Sequence, residues 1–297
     1  MYFPISGVTI NPLLLILIGF VVGILGGFFG VGGGFLAGPI LFWTGMPWNM
    51  VVGTDLAHMT GKSIVAARRH NRLGHVDVRL GLLMVTGTII GIELGAQLIE
   101  MLKKHGNLDL IVGSCYIVIL LLISALMAIE SLRAIRLGGT TLHGDEDVFA
   151  FQGFSRHVQA IRLRPMISLP KSHIPSISIW VVLGVGFISG LLAGFLGVGG
   201  GFVRLPMFVY LLGVPTHVAI GTDLFEVMIS AGYGTLSHAL KGNVDIMIAL
   251  VMQTGAAVGA QIGAVSTRYV SGPRIRLAFS LLPLLGAVLV LLRLLRG

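Results

Sequence analysis

Six residues, Gly-Val-Gly-Gly-Gly-Phe, occur twice in this chain, from Gly30 to Phe35 and from Gly197 to Phe202, both times inside strongly apolar sequence. Such a run breaks a helix, because each glycine costs about 1 kcal/mol against alanine in a helix interior. In hydrocarbon, backbone groups released from a helix survive only where protein or a wet cavity covers them. The chain must therefore break twice and bury both breaks. The same succession follows each copy: Gly-X-Pro (Gly45, Pro47; Gly213, Pro215), then Gly-Thr-Asp (Gly53 to Asp55; Gly221 to Asp223). Next come Gly-X-Val-Asp (Gly74 to Asp77; Gly242 to Asp245) and glycines spaced by four (Gly87, Gly91, Gly95; Gly255, Gly259, Gly263). The copies lie 167 residues apart at the first motif and 168 from Gly-X-Pro onward. One residue of slippage over that span indicates a duplicated unit.

The solvent for this unit is a bilayer. The 297 residues are 55% hydrophobic and 11% charged, where a soluble domain carries about 25% charged residues. Mean hydropathy is +0.95. Apolar runs near 11–29, 50–67, 80–101 and 109–131 recur near 176–196, 217–237, 244–266 and 276–295. Each approaches the ~20 residues that cross hydrocarbon. Two shorter runs, 35–45 and 202–213, follow the glycine motifs and suit half-helices or re-entrant segments. The expected fold is an all-α polytopic membrane protein. It has two homologous repeats, each of about four transmembrane helices plus a glycine-broken half-helix or re-entrant segment. The first repeat is placed at 1–131 and the second at 176–297. Residues 132–175 form a linker that its basic residues assign to the cytoplasm. The first long run is read as a retained helix.

The net charge of +8 sits between apolar runs. It is read as topology rather than as a nucleic-acid surface. Arg68, Arg69, Arg72 and Arg79 are expected on the linker side. Counting cations does not decide between parallel and inverted repeats. Run length favours re-entrant segments, with both chain ends cytoplasmic. Cys115 stands alone, so no internal disulfide and no metal site is expected. Neither His-Glu-X-X-His nor a Gly-X-Ser-X-Gly elbow is present, and no enzyme, catalytic residue or cofactor is predicted.

The glycine runs release N–H groups just before a half-helix, and a helix N-terminus attracts anions. Gly32, Gly33 and Gly34, with Gly199, Gly200 and Gly201, are thus candidate substrate-binding positions. Plain close packing stays open as the alternative. Thr54 and Thr222 join them, beside the intramembrane carboxylates Asp55 and Asp223. Ionisable residues at that depth are costly and by default functional. The halves differ where His58 and Lys62 of the first stand against Glu226 and Ser230 of the second, and Ala37 against Arg204. Arg204 is expected to contact a bound anion or to pair with Asp223 or Glu226. Asp55, Asp223, Glu226 and Glu93 are candidate coupling groups. Lys62 either snorkels or joins the site. His70 and His238 are read as solvated interfacial side chains. The glycine ladders are read as packing surfaces.

At these residues the chain resembles the TauE/SafE family of membrane permeases. The likeness covers roughly 12–131 and 176–295. It rests on the paired glycine motifs with Pro39 and Pro206 downstream, and on Gly-X-Val-Asp followed by a glycine ladder. The resemblance implies export or uptake of sulfur oxyanions and organosulfonates, such as sulfite and sulfoacetate, across the cytoplasmic (inner) membrane. It places Gly30 to Gly34, Gly197 to Gly201, Pro39, Pro206 and the Gly-Thr-X tripeptides at the pore. Many members have serine where this chain has Asp55 and Asp223, which favours coupling to protons or sodium. The expected activity is secondary transport of a small anion coupled to an ion gradient. A cation or metal permease using the intramembrane carboxylates is the alternative, and a membrane sensor is a third reading. Expected partners are the anion, the bilayer and the coupling ion, and a homodimer is compatible with the reading.

Overall fold

A computed structural model describes residues 1–104, 108–136, 152–197 and 200–296. A short hairpin pairs β1 (Tyr2–Phe3) with β2 (Val8–Thr9). Helix α1 (Pro12–Phe29) follows, its first turn fixed by Pro12 and by the Asn11 side chain, which accepts from Leu13 N–H. Next come α2 (Gly34–Trp43), α3 (Trp48–Arg72), α4 (Val78–Lys103) and α5 (Leu108–Arg136). The described part of the linker holds α6 (Gln152–Gln159) and the antiparallel strands β3 (Met166–Leu169) and β4 (Ile174–Ser178). Then follow α7 (Ile179–Leu196) and α8 (Gly201–Pro206), which runs on as π-helical turns over Met207–Leu212. The last helices are α9 (Thr216–Leu240), α10 (Ile246–Ser266) and α11 (Gly272–Arg296). Widened turns directly after Pro206 have a physical cause: proline offers no N–H to the preceding ladder.

Among the described residues six helices are long and apolar enough to cross a membrane: α1, α4, α5, α7, α10 and α11. The chain is thus an all-α, multi-pass membrane protein. Helices α3 and α9 carry the ionisable residues and are enclosed by the others, as their polarity requires. Asp55, His58, Lys62, Asp223 and Glu226 are all buried.

Glycine sets how the helices meet. A Cβ on Gly255, Gly259 or Gly263 would lie 2.0–2.2 Å from the carbonyls of Ile16, Phe20 and Ile24 on α1. On Gly87, Gly91 and Gly95 it would lie 2.2–2.5 Å from those of Leu183, Phe187 and Leu191 on α7. The ladders are packing surfaces. A reciprocal set unnoticed in the sequence answers them: Gly19, Gly23 and Gly27 on α1, Gly186, Gly190 and Gly194 on α7. Side-chain-free backbones in contact, small residue against small residue, supply the dispersion that holds helices together in lipid. The tightest pairings therefore join one half of the chain to the other, α1 with α10 and α4 with α7. In both pairs, residue numbers rise together along the contact, so the helices run parallel.

Helices α3 and α9 run antiparallel: Gly53 abuts Asn243, Thr60 meets Thr235, and Gly221 abuts His75. Their C-terminal turns consequently lie on opposite faces. The linker strands cover the α3–α4 turn, where Lys171 Nζ donates to Val76 O and Ser172 Oγ to Asp77. The β1–β2 hairpin covers the α9–α10 turn, where Ser6 Oγ donates to Asp245 at 2.6 Å. The start of the chain therefore does not share a face with the linker, contrary to the expectation from run length. The reason lies in α2 and α8. A Cβ on Gly33 would lie 2.6 Å from Val22 O, and one on Gly200 would lie 2.5 Å from Ser189 O. Each short helix thus returns along the helix before it and adds a reversal of direction.

Candidate functional site

The two glycine breaks meet. Gly30 and Gly197 end α1 and α7 with φ of 80° and 79°, a left-handed conformation that glycine alone adopts without strain. Gly33 and Gly200, at φ 72° and 70°, cap α2 and α8 in the same way. Beyond them Gly201 packs on Val31: a Cβ there would lie 2.9 Å from Val31 Cα and 2.5 Å from Asp223 Oδ2. Tyr116 closes the side of this contact, donating to Gly34 O at 3.3 Å and stacking on Phe202 at 6.5 Å. Gly32 and Gly33 are buried, and among the described residues no hydrogen bond takes their N–H groups. Buried amides in that condition are rare, and they suit an anion. Gly199 lies outside the described residues.

Directly behind the second break, Arg204 is buried at the start of α8. Its Nη1 donates to Asp223 Oδ1 at 2.9 Å and also contacts Glu226 Oε2. Nε donates to Ser189 Oγ at 3.1 Å, and Nη2 lies close to the position a Gly200 Cβ would take. Ser230 donates to the same Glu226 oxygen at 3.1 Å. Asp223 Oδ2 and Glu226 Oε1 take no hydrogen bond among the described residues. One guanidinium thus holds two carboxylates beside the glycine motifs. A buried charge is tolerated only when paired in this manner.

The first half does this differently. Ala37 offers nothing in the place of Arg204, and the cation comes from α3 itself. Lys62 Nζ lies 3.1 Å from His58 Nδ1, which lies 3.5 Å from Asp55 Oδ1. The spacing Asp55, His58, Lys62 sets all three on one helix face. Lys62 is 2% exposed, so it does not snorkel. His70 and His238 are not solvated either. Each is fully buried, its Nε2 at 3.0 and 3.1 Å from the carbonyls of Gly27 and Gly194. Gly27 and Gly194 lie in the last turns of α1 and α7, where carbonyls have no partner within the helix.

Thr54 and Thr222 face away from the glycine motifs. Their hydroxyls accept from the backbone N–H groups of Asp245 and Asp77, both at 2.9 Å. Those aspartates are the ends of the Gly-X-Val-Asp motifs, and their carboxylates cap α10 and α4. Each Gly-Thr-Asp therefore joins its half to a turn of the other. Glu93 lies apart from the centre, with Lys241 Nζ at 3.1 Å, Ser237 Oγ at 2.6 Å and Tyr233 Oη at 3.3 Å. A second buried pair, Glu130 with Arg276 at 3.2 Å, ties α5 to α11. Nothing in the motif spacing points to this pair, since Glu130 ends an apolar run and Arg276 reads as a topology charge.

Comparison with known proteins identifies a family for this chain. The family model described as "Sulfite exporter TauE/SafE" matches residues 15–290. The chain is 26% identical over 263 residues to the probable membrane transporter protein YunE of Bacillus subtilis, covering 86% of this chain and 88% of that one. It is 25% identical over 293 residues to the probable membrane transporter protein MJ0441 of Methanocaldococcus jannaschii, covering 90% of each. The TauE/SafE family protein 3 of Arabidopsis thaliana is 33% identical over 78 residues, 26% of this chain and 16% of that one. No solved structure matches. With paired glycine breaks meeting inside an all-α membrane bundle and a family model spanning nearly its whole length, this chain belongs to the TauE/SafE family of membrane transporters.

Proposed function

We propose that this protein is a secondary transporter of a small anion, a sulfur oxyanion or organosulfonate such as sulfite or sulfoacetate, in the cytoplasmic membrane. The single observation that carries the reading is Arg204, a buried guanidinium beside the glycine motifs that is held by two carboxylates. An anion entering between the breaks competes with Asp223 and Glu226 for that guanidinium, while the amides of Gly32 and Gly33 meet its other oxygens. Gly34, Gly200 and Gly201 complete the cradle.

Charge balance supplies the coupling. One guanidinium with two carboxylates carries a net negative charge, which opposes an incoming anion. A proton on Asp223 or Glu226 removes the opposition and frees Arg204. Sodium beside the same oxygens has the same sign of effect. Asp55 and its His58–Lys62 partners form the counterpart in the first half, and Glu93 with Lys241 forms a further pair nearer one face.

The motif spacing and the antiparallel crossing of α3 and α9 support two homologous repeats of inverted orientation, at 1–131 and 176–297. Alternating access then follows from rocking of one set of helices against the other around a shared site. The arginine-rich α3–α4 face is the cytoplasmic one by the positive-inside rule. On the metal-permease alternative, the described residues contain no group of three or more His, Cys, Asp or Glu placed to hold a metal ion. Glu226 and Asp223 face a cation of the protein instead. The test is movement of labelled sulfite, sulfoacetate and thiosulfate in proteoliposomes with and without a pH or sodium gradient. Movement of one of these above empty vesicles is expected. No movement of any anion overturns the proposal.

A further inference from the structure

Three arginines at the end of α3 have no part in the central site. Arg68, Arg69 and Arg72, with Gln261 of α10, line a cavity of about 570 Å³ between the two helices. Among the described residues none of the three has an ion-pair partner. Nε of Arg69 is buried with no hydrogen-bond acceptor among the described residues. The carboxylates nearest in sequence on this face are engaged: Asp77 caps α4 and binds Ser172, and Glu130 holds Arg276. Three guanidiniums within five residues repel one another, and the partial negative charge of the helix C-terminus offsets only part of that. Arg68 and Arg72 are exposed and Arg69 is half-buried, so the cluster is open to an anion from outside the protein.

The walls say which anion. Ile64 and Val265 line the same cavity. Ile64 is 48% exposed, as is the α10 surface below it at Val258 and Ile262, at 55% and 46%. These residues belong to the lipid-facing side of the bundle. The cavity is therefore cationic at the interface and continues downward along an apolar track. A free oxyanion has no use for the track, whereas a lipid fits both parts. Basic pockets between helices on the cytoplasmic side are suited to anionic headgroups.

We propose that the cavity between α3 and α10 binds an anionic phospholipid, its phosphate held by Arg68, Arg69 and Arg72 and its chain lying over Ile64 and Ile262. The site is independent of the transported anion. It would tie α3, which carries Asp55, His58 and Lys62, to the lipid composition of that leaflet. The test uses the full-length protein and reads lipid retention by native mass spectrometry together with the thermal unfolding midpoint. Probes are phosphatidylglycerol, phosphatidylcholine and inorganic phosphate. Phosphatidylglycerol is expected to be retained and to raise the midpoint, with phosphatidylcholine and inorganic phosphate doing neither. Retention should fall at least about tenfold in Arg69→Gln/Arg72→Gln. It should also fall in Val265→Trp, which fills the cavity without changing charge, and stay unchanged in Arg79→Gln. Equal retention of both lipids, or an equal loss in Arg79→Gln, overturns the proposal. Stabilisation by inorganic phosphate matching that by the lipid also overturns it, by making the ligand a free anion.

Discussion

Arg204 and Asp223 are joined by a 2.9 Å ion pair between α8 and α9, with neither side chain exposed. Removing one partner of such a pair leaves a buried, uncompensated charge and costs about 3–5 kcal/mol. Arg204→Gln should therefore lower the unfolding midpoint strongly, because it strands Asp223 and Glu226 together. The triple variant Arg204→Gln/Asp223→Asn/Glu226→Gln should recover most of that stability and still move no anion. Parallel measurements of melting and of proteoliposome flux separate the two effects.

Gly201 makes the meeting of the two breaks possible. A methyl group there would lie 2.9 Å from the Val31 backbone and 2.5 Å from Asp223 Oδ2, and a backbone has nowhere to retreat. Gly201→Ala should reduce flux at least about tenfold, since an ångström of displacement is felt across a close-packed interior. Gly184→Ala is the control: among the described residues nothing lies within 4 Å of its added methyl group. It should leave transport unchanged and stabilise α7 by up to about 1 kcal/mol.

Thr54 and Thr222 make the same bond from opposite halves. Replacing either by valine leaves the N–H of Asp245 or Asp77 without its acceptor, at a cost of about 1–3 kcal/mol. Thr54→Val and Thr222→Val should destabilise to a similar degree. Flux per folded molecule should change far less than in Arg204→Gln. Equal and complete loss of flux at full stability would instead put the two hydroxyls in the substrate path.

His75, in the α3–α4 turn, packs between His70 and His217, at ring separations of 5.6 and 5.4 Å. Desolvation, and then the neighbouring His70 and His217, lower its pKa from 6.5 to about 4. In that interval the unfolded chain binds the proton and the folded one does not, so stability rises with pH. The contribution is complete above pH 6.5 and is lost as pH falls toward 4. Unfolding midpoints across that range should decline, with a shallower slope in His75→Asn.

The breaks, the half-helices and the packing ladders were legible in the sequence because each depends on backbone freedom, which only glycine provides. The ionisable positions were legible for a related reason, since few residues are as conspicuous as a carboxylate in an apolar run. What each one touches was not. Thr54 meets Asp245 across 191 residues and Thr222 meets Asp77 across 145, and no periodicity encodes such a distance. The buried histidines were misread because their partners are glycine carbonyls, and a carbonyl leaves no mark in a composition. The direction of the halves depended on whether α2 and α8 return along their predecessors. Segment length alone does not decide that.

The most direct measurement is accumulation of labelled sulfite in proteoliposomes under an imposed pH gradient, compared between the wild-type protein and Glu226→Gln. The account predicts gradient-driven accumulation in the wild type. In Glu226→Gln, which keeps Arg204 paired with Asp223 but removes one carboxylate, exchange should persist and the response to the gradient should be lost. Accumulation that follows the gradient equally in both proteins would contradict the account, because the carboxylates held by Arg204 would then have no part in coupling.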